Sequence, residues 1–164
     1  MKEIVLAKSA GFCFGVERAV DLVYEKLKEG GNIYTYGEII HNESVVEDLA
    51  RHGVKIIENI NDIEGKKPGI VIIRSHGVSK DVYLQLEEAG MQVVDATCPF
   101  VLKIHRLVEK ASKEGKHNVI VGDANHPEVQ GIMGWCETPK TVIDSEEEAN
   151  DFVSDNPNIH IVSQ

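Results

Sequence analysis

Short apolar segments rich in valine and isoleucine alternate with longer segments of helical periodicity along the chain. Segments of this length and composition are typical of strands that are buried on both faces. We predict eight strands, at residues 4–7, 33–36, 54–57, 70–74, 93–96, 119–121, 142–144 and 159–163. The alternation of strands and helices predicts an α/β fold, with mainly parallel sheets flanked by helices.

Local signals mark the start of several predicted helices. Pro99 and Pro127 each precede a helical pattern, and proline fits the first position of a helix because its missing N–H would be unpaired there. Ser145 is followed three residues later by Glu148, which predicts a capping box at the start of the last helix.

The two halves of the chain have the same layout, which favours two similar small lobes packed together. The softest boundary lies near residues 95–99, where a strand ends and a proline opens a helix. We therefore predict an N-terminal strand within residues 1–13, a first α/β lobe at 14–97 and a second at 98–164 that is incomplete at its C-terminus.

Composition narrows the classes of protein that fit this chain. The 164 residues carry 17 Lys and Arg against 27 Asp and Glu, a net charge of −10. This balance disfavours a nucleic-acid-binding surface, since phosphate backbones require cations. No apolar run is long enough for a membrane span, and the first residues lack a signal-peptide pattern, so we predict a cytoplasmic protein.

Cysteine or histidine occupies five predicted strand-to-helix turns. These residues are Cys13, His41, His76, Cys98 and His126. Ligands of open α/β sheets bind beyond the carboxyl ends of the strands, so three histidines there could converge on one anion such as a diphosphate. A single histidine in a turn is more often solvated or a helix cap, and Glu128 in a first helical turn has an ordinary dipole explanation. Beside a histidine, Glu128 could instead carry protons.

The cysteines suggest metal or thiol chemistry without deciding between them. Cys13 lies between two aromatics and two glycines before a helix, where the positive helix end favours a thiolate. That position suits a metal ligand, a reactive thiol or a small buried residue. Zinc would require four ligands, and an iron–sulfur cluster normally takes cysteines. Cys136 is predicted to be a half-buried free thiol. Four histidines are predicted to have no site role: His52, His105, His117 and His160.

Five motifs together resemble the 4-hydroxy-3-methylbut-2-enyl diphosphate reductases, the LytB family. They are Gly-Phe-Cys-Phe-Gly-Val at 11–16, His-Asn at 41–42, Ser-His-Gly-Val at 75–78, Asp-Ala-Thr-Cys-Pro at 95–99 and His-Pro-Glu-Val at 126–129. They occur in the family's order and at similar spacing. The resemblance implies a two-electron reductive dehydroxylation that yields isopentenyl and dimethylallyl diphosphates, the last step of the methylerythritol phosphate route to isoprenoids. A ferredoxin or flavodoxin would supply the electrons.

The resemblance also implies roles for individual residues. Family members hold a 4Fe-4S cluster through three cysteines, and Cys13 and Cys98 match two of them. Glu128 matches the acid that delivers protons together with a threonine. The histidines that match the family's diphosphate ligands are His41, His76 and His126.

The chain departs from the family in its extent. Family enzymes have three α/β lobes, and this chain matches the first two; the third cysteine and further diphosphate ligands belong to the third lobe. In the family, the strand near residues 4–7 packs with that third lobe. We expect this chain to be the N-terminal portion of a longer protein and to be inactive alone. The alternatives are a zinc-dependent hydrolase and a diphosphate-binding module without turnover.

Overall fold

Two parallel β-sheets flanked by helices form the computed structural model, which describes residues 4–8 and 10–164. The helices are α1 (Phe14–Glu29), α2 (Glu43–Arg51), α3 (Lys80–Glu88), α4 (Pro99–Lys113), α5 (Pro127–Met133) and α6 (Glu146–Asp151). The strands are β1 (Ile33–Tyr36), β2 (Lys55–Ile57), β3 (Ile70–Ile73), β4 (Gln92–Asp95), β5 (His117–Val121), β6 (Lys140–Ile143) and β7 (Ile159–Ser163). A short 3-10 helix, Ile60–Ile63, follows β2. The predicted fold class is confirmed.

The first sheet has the strand order β2-β1-β3-β4, and the second has the order β6-β5-β7. All five strand pairs are parallel. Each sheet draws its strands from one side of the predicted boundary between residues 97 and 98, although the division into lobes at that point stays a prediction.

The strand predicted at residues 4–7 is wrong. These residues have no regular secondary structure, and the Ile4 side chain is 96% exposed. A strand is held by hydrogen bonds to a neighbour, and none of the sheet strands pairs with this segment. Residues 1–3 and 9, which also belong to the predicted N-terminal strand, lie outside the described residues.

The apolar sequence of the central strand β3 is continuous because both of its faces are buried. Ile70 and Ile72 pack into a core with α1 and α2, whereas Val71 and Ile73 pack into a second core on the α3 side. All four side chains are buried, because helices cover both faces of this sheet. In the second sheet, α4 and α5 cover one face, and Ile120 is buried among their side chains.

Trp135, which follows α5, contacts both the connection from β3 to α3 and helix α4. Its indole Nε1 donates a hydrogen bond to the Val78 carbonyl oxygen at 2.9 Å, and its ring stacks on His105 at a centroid distance of 5.3 Å. Lys80 of α3 forms ion pairs with Glu109 of α4 and with Glu137, which follows α5, at 3.0 and 3.1 Å. These contacts fix the carboxyl end of the first sheet against α4 and α5.

The last helix begins with half of the predicted capping box. The Ser145 hydroxyl accepts a hydrogen bond from the Glu148 backbone N–H at 3.2 Å. The Glu148 carboxylate accepts from the Asp144 N–H at 2.9 Å instead of from Ser145. In the part of the chain that the structure describes, no helix is long and apolar enough to cross a membrane.

Candidate functional site

Three histidine side chains meet at the carboxyl edge of the first sheet. His41 lies in the connection from β1 to α2, and His76 lies in the connection from β3 to α3. β1 and β3 are neighbouring parallel strands, so their carboxyl ends lie side by side. The His41 and His76 ring centroids are 4.8 Å apart, and His126 lies 5.5 Å from His76. His126 lies in the connection from β5 to α5, so the cluster joins residues that follow strands of both sheets.

His76 is the central and most deeply placed member of this cluster. Burial, with smaller contributions from the neighbouring His41, Arg74 and His126, lowers the pKa of its ring from 6.5 to about 4. Its Nδ1 is buried and has no hydrogen-bond partner among the described residues. At neutral pH the His76 ring is therefore uncharged, and it offers one N–H donor rather than a positive charge.

His126 is fixed by its position as the N-cap of α5. Its Nδ1 accepts a hydrogen bond from the Glu128 backbone N–H at 3.1 Å. An Nδ1 that accepts is unprotonated, so in the neutral ring the proton lies on Nε2, which leaves that atom as the donor available to a ligand.

Glu128 lies beside this histidine in the first turn of α5 and is half-buried. Burial raises the pKa of its carboxyl group, while the adjacent His126 has the smaller, opposite effect. A carboxyl with a raised pKa holds its proton closer to neutral pH, which suits a general acid.

Cys13 and Cys98 each occupy the N-cap position of a long helix, α1 and α4. Cys13 is exposed and Cys98 is half-buried, and both are free thiols. A Cβ added at Gly15 would lie 2.6 Å from the Cys98 Sγ, so only glycine leaves space for this thiol beside the first turn of α1. The cysteines thus belong to one region, although no strand precedes Cys13 as the sequence predicts.

The donor chemistry of these thiols fits an iron–sulfur centre as part of a ligand set. Cysteine sulfurs are the usual ligands of such clusters. Among the described residues, however, no group of three or more His, Cys, Asp or Glu side chains is arranged to hold a metal ion.

The chain matches the LytB protein family over residues 4–164. The chain belongs to the LytB family. It is 49% identical over 152 residues to the 4-hydroxy-3-methylbut-2-enyl diphosphate reductase of Caldanaerobacter subterraneus, covering 92% of this chain and 53% of that protein. It is 50% identical over 150 residues to the Geobacter sulfurreducens reductase, covering 90% of this chain and 51% of the relative.

Solved structures of such reductases share the fold of this LytB chain. The Plasmodium falciparum enzyme superposes with a TM-score of 0.89 at 29% identity, covering 96% of this chain and 49% of that one. A second reductase, described as the terminal enzyme of the non-mevalonate pathway, gives a TM-score of 0.83 at 40% identity and covers 100% and 58%. The chain therefore spans about half the length of the relatives that it matches.

Sequence reasoning missed one residue that organises the cysteine region of this LytB chain. Arg18 of α1 donates hydrogen bonds to the backbone oxygens of Thr97 and Asp95, at 3.2 and 3.3 Å. Thr97 directly precedes Cys98, so Arg18 ties the helix that begins after Cys13 to the second cysteine. The contact joins residues almost 80 positions apart, so no local sequence pattern predicts it.

Cys136 lies apart from both clusters. It is buried, and its Sγ donates to the Ile132 carbonyl oxygen at 3.5 Å. Burial raises the pKa of this thiol, which keeps it protonated and unreactive. It is a free thiol as predicted, but it is more deeply buried than the sequence suggests.

Proposed function

We propose that this chain forms part of a 4-hydroxy-3-methylbut-2-enyl diphosphate reductase. The observation that carries the proposal is the convergence of His41, His76 and His126 beside Glu128 in a member of the LytB family. A ferredoxin or flavodoxin as electron donor and a cytoplasmic location belong to the same proposal.

The proposed reaction removes a hydroxyl group by reduction. Two electrons and two protons enter, the carbon–oxygen bond of the substrate breaks, and the oxygen leaves as water. One of the protons ends on the allylic carbon skeleton, which gives isopentenyl or dimethylallyl diphosphate. The protein must hold the diphosphate, supply a proton at a defined place and provide a path for electrons.

The three histidines would hold the diphosphate. The His126 Nε2 and the uncharged His76 ring offer N–H donors, and phosphate oxygens accept such hydrogen bonds. The rings lie within 4.8 to 5.5 Å of their neighbours, which is close enough for two linked phosphate groups to contact all three.

Glu128 would deliver the proton. Burial already raises the pKa of its carboxyl group, and a bound diphosphate would raise it further by like-charge repulsion. Glu128 follows His126 by two residues, so its carboxyl group would lie near a diphosphate ester that the histidines hold. Its replacement should affect turnover more than binding.

Cys13 and Cys98 would hold an iron–sulfur cluster together with a ligand from outside these residues. Such a cluster supplies electrons and a Lewis-acidic iron to the substrate oxygen. Within this chain, Gly15 and Arg18 keep the Cys98 thiol accessible and close to the first turn of α1.

The decisive experiment compares this chain alone with a chimera that joins it to the C-terminal half of the Caldanaerobacter relative. Both are reconstituted anaerobically, and iron, sulfide and conversion of 4-hydroxy-3-methylbut-2-enyl diphosphate are measured with a chemical reductant. We expect the chimera alone to hold a stable cluster and to turn over. A chimera that binds the cluster but releases no isopentenyl or dimethylallyl diphosphate would contradict the proposal.

A second candidate is a diphosphate-binding module without turnover. It is favoured by the presence of the histidine cluster without a complete metal group among the described residues. Binding of inorganic diphosphate by a chain that stays inactive in the chimera would select this candidate. A zinc-dependent hydrolase would instead purify with stoichiometric zinc, which metal analysis detects.

A further inference from the structure

The proposed diphosphate site lacks an obvious source of positive charge. A diphosphate carries several negative charges at neutral pH, the chain itself carries −10, and the central ring, His76, is uncharged. Hydrogen bonds from neutral rings orient an anion but do not balance its charge. A fixed cation close to the cluster would supply this balance.

Arg74 lies on the same turn as His76. The Gly77 backbone N–H donates to the Arg74 carbonyl oxygen at 3.0 Å, which closes a turn over residues 74–77. Arg74 follows β3 directly, so the end of a fully buried strand carries a guanidinium group. A charged side chain beside a buried strand is unusual unless it is paired or has a functional role.

The Arg74 side chain extends along the edge of the sheet towards the connection from β1 to α2, which contains His41. A Cβ added at Gly37 would collide with the Arg74 Nη1 and would lie 3.1 Å from its Cζ. Gly37 has a φ of +70° and lies four residues before His41, in the connection from β1 to α2. The guanidinium therefore rests between the two connections that carry His41 and His76.

The charge of Arg74 is not neutralised by a close carboxylate. Among the described residues, no carboxylate lies within 4.0 Å of its nitrogens, and its buried Nε has no hydrogen-bond partner. The Glu58 carboxylate acts on Arg74 through its field but forms no ion pair with it. Its positive charge remains available to act on a ligand at the cluster.

We propose that Arg74 is the fixed cation of this anion site, which selects a diphosphate ester by its charge while the histidines orient it. The inference rests on the proposed diphosphate function and names the residue that balances the ligand. Arg74 acts mainly by electrostatic attraction of the anion, from a position fixed by its packing against Gly37. This attraction makes the site favour a diphosphate ester over singly charged ligands.

The test measures binding of inorganic diphosphate to this chain by titration calorimetry at low salt. Arg74→Gln should weaken binding about tenfold, since removing one unit charge at short range in a half-buried site has an effect of this order. Arg74→Lys keeps the charge and should bind within about threefold of the original. Arg51→Gln is the matched control, because it makes the same charge change about 12 Å further along α2 from the His41 connection.

A second variant keeps the proposal testable if Arg74→Gln does not fold. Glu58 is exposed, and its carboxylate lowers the net field of Arg74. Glu58→Gln should tighten diphosphate binding about twofold, and added salt should weaken the effect. Unchanged or weaker binding by Glu58→Gln would count against Arg74 as the cation.

The experiment distinguishes failure of the Arg74 proposal from failure of the anion site itself. If the original chain binds diphosphate and Arg74→Gln binds it equally well, the role of Arg74 is wrong while the histidine site stands. If the original chain does not bind diphosphate at all, the anion site itself is wrong, and the proposed function falls with the inference. A loss that is the same for Arg74→Gln and Arg51→Gln would show an effect of net charge only, which overturns the inference.

Discussion

His105 makes the stability of this protein sensitive to mild acid. The ring is 1% exposed, stacks on Trp135 and fills the space beside Gly77, where an added Cβ would lie 2.7 Å from the ring Cε1. Neither ring nitrogen has a hydrogen-bond partner among the described residues. Burial lowers the pKa of His105 from 6.5 to about 4, so the folded protein holds this ring uncharged.

The sign of the effect follows from proton linkage. Between pH 6.5 and about pH 4 the unfolded chain binds a proton at His105 that the folded chain does not. Protons therefore favour the unfolded state, and stability falls as the pH is lowered through this range. Between pH 7 and pH 5 the contribution of this one group to the free energy of unfolding decreases by about 2 kcal/mol.

The assay is urea-induced unfolding near pH 7 and near pH 5 for the original chain, His105→Leu and Val108→Ala. The quantity compared is the loss of unfolding free energy between the two pH values. We expect His105→Leu to lose about 2 kcal/mol less than the original, because the other titrating groups cancel in the difference. Val108 is fully buried on the same helix, so Val108→Ala should be destabilised at both pH values with the original pH dependence. Equal losses for His105→Leu and the original chain would refute an uncharged, buried His105.

Three further perturbations test the site and the core. Glu128→Gln in the reconstituted chimera should lower turnover about a hundredfold while the Kd for diphosphate changes less than about threefold; full turnover would remove its proton role. Gly15→Ala should destabilise the chain by about 1–3 kcal/mol in urea unfolding, since the new methyl group collides with the Cys98 thiol. Ile132→Ala should cost about 2–5 kcal/mol because Ile132 is fully buried, whereas the same change at Ile161, which is 65% exposed, should cost less than about 1 kcal/mol. Equal costs at the two isoleucines would contradict the packing of the second lobe.

The strands that the sequence predicts best are those whose burial is decided locally. β3 is covered on both faces, so its run of Ile and Val is unambiguous, and it ends within one residue of the predicted position. Residues 4–7 have an equally apolar composition, but an apolar segment becomes a strand only when another strand pairs with it. The composition of a segment indicates its tendency to form a strand. Whether another strand pairs with it depends on residues that are distant in the sequence.

The grouping of His41 and His76 is predictable for a geometric reason. Parallel strands end at one edge of their sheet, so residues that follow neighbouring strands come together whatever the details of packing. The approach of His126 is different, because it belongs to the second sheet and reaches the cluster through contacts between lobes. No sequence pattern describes those contacts, and the same reason explains why Arg18 was missed.

The burial of His105 was predictable in part. It lies on the apolar stripe of α4, four residues after Val101 and three before Val108, both buried. The periodicity therefore indicates that His105 faces inwards, although a single histidine in the middle of a helix predicts no site role. That its ring meets Trp135 and Gly77 of other elements follows only from the packed structure.

The connection over residues 75–79 links the anion site to the packing of the lobes. Gly77 contacts His105 and lies 3.5 Å from the position of a Cβ added at Gly131, and the Val78 carbonyl accepts the Trp135 hydrogen bond. These groups of the second lobe hold the backbone that carries His76. The cluster of three histidines therefore depends on this packing. By linkage, a ligand that requires all three rings must stabilise the packed state by RT ln(1 + [L]/Kd), an amount that grows with the concentration of free ligand.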